Sequence, residues 1–168
     1  MKPSTKEMST LALYAEGPTR LEDALAGLNE VDLDASPSQG GWSIRQLVHH
    51  IVDGDDIWKM CIKSALGNDK MEFTLEWYGT QSQDVWADRW AYASRSIAES
   101  LALFKANRAH VLQLLEQVPD AWQQSIRMRM PDGRTEQMIV GTAISIQAEH
   151  VVHHTERIHA IRAEHGGL

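Results

Sequence analysis

Apolar residues recur at helical spacing in four stretches of this chain. The first covers about Thr5 to Leu28, with Met8, Leu11, Ala15, Leu21, Leu25 and Leu28 as its apolar positions. Gly17-Pro18 falls inside it and is expected to break or kink it, because proline has no N–H for the helical ladder. A turn-rich loop with Asp34, Pro37, Ser38, Gly40 and Gly41 follows. The second helix is expected to start at Ser43, which has capping-box spacing to Gln46. Ile44, Leu47, Val48, Ile51, Trp58, Ile62 and Ala65 hold the period up to a C-cap at Gly67-Asn68. The third helix is expected from about Asp84 to Val118, carrying Trp86, Trp90, Ala93, Ile97, Phe104, Val111 and Leu115, with Pro119-Asp120 as its stop. The Gly67 to Gln83 connection is long for an antiparallel hairpin and suits a crossover. Ile126, Met128 and Met130 then alternate with polar residues, and Pro131-Asp132-Gly133 marks a turn before Thr135 to Met138. That is the pattern of a small β-hairpin. The fourth helix runs from about Ile139 to Glu164. The fold class expected is all-α, a helical bundle.

Composition narrows this picture. A chain of 168 residues, 43% hydrophobic, suits one domain over residues 1–168 with a core that needs no staples. The formal net charge of −7 and the lack of a Lys/Arg run argue against a nucleic-acid partner. Cys61 is the only cysteine, so no intrachain disulfide forms, which fits a reducing cytoplasm. The N-terminal MKPSTKEMST lacks the apolar core of a signal peptide. No stretch approaches the ~18 apolar residues that span a bilayer. A soluble cytoplasmic protein with no membrane partner is expected.

The histidines bring in chemistry. His150 and His154 are four residues apart in the fourth helix, so they project from one face. Ala143, Gln147, Val151, Ile158 and Ile161 share that face, with His153 on its flank. In the second helix Leu47, Ile51, Trp58 and Ala65 define the buried stripe. His50 falls at its edge, and His49 falls nearly opposite, toward solvent. Periodicity therefore selects His50, His150 and His154. Three imidazoles from facing helices suit a divalent transition metal with open positions for water or substrate. Hydrogen-bonded core histidines are the alternative that spacing alone leaves open. Three buried imidazoles without a metal would leave polar nitrogens short of partners, which favours the metal.

At these residues the chain resembles the DinB/YfiT-like superfamily, over nearly its whole length. Gly41-Trp42-Ser43-Ile44-Arg45 is similar to that family's start of the second helix. Leu47-Val48-His49-His50-Ile51-Val52-Asp53 resembles its hydrophobic-His-hydrophobic-x-Asp motif and places His50 as the first metal ligand. The run from His150 to Ile158 resembles its last helix and places His150 and His154 as the second and third ligands. Thr155-Glu156-Arg157 stands where many members have Arg-Gly-Gln, a departure around the ligands rather than in them. The resemblance implies a four-helix bundle with up-down-down-up topology and a long crossover between the second and third helices. It implies a divalent metal, nickel or zinc first, then iron or manganese, and a homodimer. Relatives of this kind include thiol transferases that use bacillithiol, a mycothiol-dependent isomerase, and proteins assigned as metal-dependent hydrolases.

Two functions follow as expectations. One is a metal-dependent enzyme acting on a small molecule, as a hydrolase or a transferase with a low-molecular-weight thiol. The other is a non-catalytic, metal-stabilised dimeric bundle acting as a binding module. Asp53, one turn after His50, is a candidate to orient an imidazole or act as a base, or else a solvated acid beside Asp55 and Asp56. Gln147 is expected inward, Glu149 at the surface, and Cys61 buried and inert, too far along the helix to share a metal with His50. Trp77, Tyr78, Trp86 and Trp90 are candidates for a substrate mouth, with core favoured for Trp86 and Trp90. His110, His159 and His165 have no evident partner in the sequence.

Overall fold

The computed structural model describes residues 4–68 and 72–168. Six helices and a three-stranded sheet follow the chain: α1 (Thr5–Leu25), α2 (Ile44–Gly67), β1 (Glu72–Thr74), α3 (Glu76–Gly79), α4 (Gln83–Arg89), α5 (Ala98–Gln117), β2 (Ser125–Arg129), β3 (Thr135–Ile139) and α6 (Val140–Glu164). The long helices α1, α2, α5 and α6 form a four-helix bundle.

Two apolar clusters divide its core along the bundle axis, and they give each helix its direction. The first holds Tyr14, Cys61, Ile62, Val111, Ala143 and Ile144. The second holds Leu21, Ala24, Leu47, Ile51, Phe104, Ile158 and Ile161. Helices α1 and α6 pass from the first cluster to the second, whereas α2 and α5 pass from the second to the first. The order is therefore up-down-down-up. Because α2 and α5 are parallel, the chain must return along the bundle between them. The connection that does so carries β1, α3 and α4, and residues 69–71 of it lie outside the described residues.

Local chemistry sets most of the ends. The Ser43 side chain accepts from Gln46 N while the Gln46 side chain accepts from Ser43 N, which is the expected capping box at the start of α2. Ser4 and Glu7 do the same for α1. Helix α1 runs through Pro18 without a break and stops at Leu25, ahead of the expected Leu28. Gly27 just beyond it takes φ +83°, a left-handed conformation that ends a helix. Gly17 has a packing role: a Cβ there would sit 3.3 Å from the Arg108 guanidinium.

The expected third helix is two helices. It breaks after Arg89, and Ala91 adopts φ +53°. Tyr92 N then bonds back to Ala87 O, and Ser96 Oγ accepts from Ala98 N at the start of α5. The break turns Tyr92 inward to full burial, while Ala93, expected on the apolar face, is exposed. The hairpin forms as expected, with Ile126 opposite Met138. Ile126 and Met128 face the core. Strand β1, not foreseen, pairs parallel to β2 with Phe73 opposite Met128. At three residues it is too short to show an alternating pattern.

Candidate metal centre

Helices α2 and α6 run antiparallel and bring His50 against His150 and His154. The close approach is at Gly54, where an added Cβ would lie 3.6 Å from His150 Cε1. His150 Nε2 is 3.1 Å from His50 Nε2, and His154 Nε2 is 3.1 Å from His150 Nε2. All three candidate ligand nitrogens lie within 4.8 Å of one another. A tetrahedral ion with bonds of about 2.05 Å separates its ligand nitrogens by about 3.3 Å. The three imidazoles are thus close enough to hold one ion.

Proton chemistry supports the fit. A neutral imidazole has one N–H and one lone pair. Three Nε2 atoms meeting at one point can share at most two hydrogen bonds among themselves, whereas a cation takes all three lone pairs. His150 Nδ1 and His154 Nδ1 are buried without hydrogen-bond partners, which leaves Nε2 as the nitrogen each ring presents to an ion. Burial pushes His50 down to about 4, with the Arg157 charge adding to it. Burial and the neighbouring imidazoles push His150 to about 3 and His154 to about 2. All three are neutral at pH 7, the form that binds metal.

These shifts set a pH dependence. Their folded values lie below the ordinary 6.5, so the unfolded chain binds more protons as pH falls. Their stabilisation is complete above about pH 6.5 and is lost as pH falls through about 4 toward 2. Burial pushes Asp55 up to about 6 from 3.8, so this one group works in the opposite sense between those values. Three imidazoles outweigh one carboxyl. The metal-free protein is expected to lose melting temperature steadily from pH 6.5 to 4.5. The double variant His150→Gln/His154→Gln should lose it less steeply. Parallel slopes in thermal melts would count against neutral burial of the pair.

The surroundings differ from expectation in several places. His49 is fully buried rather than solvent-facing. Its Nε2–H donates to Arg95 O at 3.2 Å and its Nδ1 accepts from Ser100 Oγ at 2.9 Å. Helix α2 is covered on this side too, by α5 and the 90–97 segment, so a single buried stripe misjudges it. Asp53 makes no hydrogen bond to the three imidazoles. It lies beside the Tyr92 hydroxyl, whose pKa is raised by burial and then by this charge, and 3.5 Å from Arg95 Nη1. Asp55 is not solvated: at 1% side-chain exposure it pairs with the equally buried Arg108, Nε to Oδ1 2.7 Å. Gln147 is inward and Glu149 is exposed, as expected. Cys61 is buried, and burial pushes its thiol up to about 12, so it is inert. His165 Nε2 bonds with Ser36 O at 2.8 Å, while His110 and His159 are exposed.

Two recesses flank the site. The mouth above the imidazoles has a volume of about 330 Å³ and is lined by Trp42, His50, Gln83, Asp84, His154 and Arg157. Trp42 packs edge-on against His50 at 4.8 Å and donates its Nε1–H to Asp84 Oδ1 at 2.8 Å. The second recess, about 390 Å³, is lined by Asp53, Asp56, Ile57, Trp77, Trp90 and Arg95. Trp86 and Trp90 are half-buried and stand outside both core clusters. They form an aromatic wall with Tyr78, stacked at 5.7 and 6.3 Å. The break at Ala91 puts α4 on the flank of the bundle, which is why these rings miss the core.

Among the described residues no helix is long and apolar enough to cross a membrane. Similar proteins match most of the chain's length. A protein of Geobacillus thermodenitrificans named "Putative metal-dependent hydrolase" is 29% identical over 93% of this chain and 84% of its own length. One of the same description from Halalkalibacterium halodurans is 29% identical over 91% of this chain and 81% of its own length. The solved structure of YfiT from Bacillus subtilis superposes with a TM-score of 0.81 at 21% identity, covering 98% of this chain and 91% of that one. YfiT is described as "a probable metal-dependent hydrolase with an unusual four-helix bundle topology". Residues 13–158, nearly the whole bundle with all three clustered histidines, match the DinB superfamily, and the chain belongs to it.

Proposed function

We propose that this protein is a metal-dependent enzyme acting on a small molecule, of hydrolase or thiol-transferase type. His50, His150 and His154 hold one divalent transition ion, nickel or zinc. The observation that carries the reading is the convergence of three Nε2 atoms beneath an open mouth of about 330 Å³. Structural zinc sites are closed by four protein ligands, whereas catalytic ones keep a position free. Bound there, the ion would supply a Lewis acid that activates water or a thiol. The residues of the chain do the rest. Buried surroundings keep the imidazoles neutral, Trp42 fixes the His50 ring from the side, and the mouth admits substrate. Asp53 is assigned as a base that reaches substrate from the adjoining recess, not as a partner of an imidazole. The names of the relatives support the hydrolase half of the reading. The thiol co-substrate, the homodimer and the cytoplasmic location rest on the family resemblance and the sequence.

His50→Ala separates this reading from a metal that only stabilises the fold. With an enzyme, the variant keeps its melting temperature within a few degrees and loses turnover in hydrolysis and thiol-transfer screens. With a structural metal, binding free energy is folding free energy, and the variant melts far below the wild type.

A further inference from the structure

Arginines that are partly or fully buried in this protein have partners, with one exception. Arg45 pairs with Glu30 and Asp34, Arg95 with Asp53, Arg108 with Asp55 and Arg129 with Glu72. Arg162 donates to three backbone carbonyls, Ala24 O, Ala26 O and Leu168 O. Arg157 is half-buried, and among the described residues it has no hydrogen bond and no ion pair. Its own helix offers no carboxylate one turn away either. The positions one turn away are His153, His154, Ala160 and Ile161. Five guanidinium donors are left over at one point of the surface.

That point is the wall of the mouth. Arg157 lines the same recess as His50 and His154, and its charge is felt by both imidazoles. Asp84, the one carboxylate lining this recess among the described residues, is exposed and accepts from Trp42 Nε1. Gln83 adds an amide whose Oε1 is taken by the Tyr78 hydroxyl at 2.7 Å. The lining thus holds a half-buried, unpartnered guanidinium and an exposed carboxylate that is turned to Trp42 and makes no ion pair with it.

We infer that Arg157 is the specificity residue of this site and selects substrates or co-substrates that carry a carboxylate or phosphate, docked on its guanidinium while the reacting group faces the three histidines. This rests on the metal-enzyme reading above and adds the charge of the ligand to it. A planar fork of N–H donors matches either oxyanion, and a charge-assisted bond in a recess is stronger than one in open water.

The test uses cobalt(II)-loaded protein and simple thiols as probes, with the thiolate-to-cobalt absorption band read as binding. Mercaptoacetate and 3-mercaptopropionate carry a carboxylate at two distances, 2-mercaptoethanol is neutral and cysteamine is cationic. The wild type should bind the better carboxylate thiol about tenfold or more tightly than 2-mercaptoethanol. Arg157→Gln should erase that preference, leaving cobalt content, melting temperature and 2-mercaptoethanol affinity unchanged. Equal affinities in the wild type, a preference that survives in Arg157→Gln, or tighter binding of cysteamine would each overturn the inference while leaving the metal site standing. Failure to load cobalt, or no band with any thiol, would remove the metal-enzyme reading and the inference with it.

Discussion

Arg108→Met is expected to lower folding stability by about 3–5 kcal/mol, the range for removing one partner of a buried ion pair. For a chain of this size that is a fall of about 6–20 °C in melting temperature. Arg108 and Asp55 are each 1% exposed and 2.7 Å apart, so the variant strands a carboxyl in the core. It also deletes donors to Tyr14 O at 2.9 Å and Gln147 O at 3.0 Å, and the guanidinium stacked 3.7 Å over the Tyr14 ring. Those contacts tie α5 to α1, α2 and α6 at once. The double variant Asp55→Leu/Arg108→Met should be less destabilised than Arg108→Met alone, because no unpaired charge remains. A single variant within 1 kcal/mol of the wild type in urea unfolding would mean that water reaches the pair. The network also bears on the metal centre. Asp55 follows Gly54, which faces His150, and Gln147 lies one turn before His150. Arg108→Met should therefore weaken metal binding even below its melting transition.

His154→Ala is expected to reduce metal affinity by more than about 100-fold. Partners that only orient a ligand are worth about 10–100-fold, and a ligand itself is worth more. His154 is the most depressed of the three, so it is neutral throughout the physiological pH range. Its loss leaves His50 and His150, a two-nitrogen site that chelators strip readily. The fold should survive, since the deleted ring contacts mainly the other imidazoles and His153. Titration against a colorimetric chelator measures the ratio. An affinity within tenfold of the wild type would place the ion elsewhere.

The parts of this architecture legible in the sequence were those with a regular period or a local capping rule. The Ser43–Gln46 box and the stripe through Ile44, Leu47 and Ile51 located α2. The four-residue step from His150 to His154 put two candidate ligands on one face, and His50 at the stripe edge supplied the third. What escaped was set by contacts distant in sequence. His49 is buried because the segment after the Ala91 turn folds over it, and nothing near residue 49 announces that turn. The same turn splits the expected third helix, since apolar spacing continues through a backbone reversal. The Asp55–Arg108 pair did leave a signal. Leu47, Ile51 and Asp55 are four residues apart, as are Phe104 and Arg108, so opposite charges sat on two apolar stripes. Arg157 left none beyond its place next to the ligands, because lacking a partner is a property of the folded surface.

Everything proposed for this site depends on His50, His150 and His154 holding a metal. Elemental analysis of protein purified without an affinity tag tests it most directly. About one transition-metal ion per chain, nickel or zinc, is expected, and its loss in His154→Ala. Metal-free wild type that stays metal-free after incubation with nickel or zinc would contradict it, and the three histidines would then be structural.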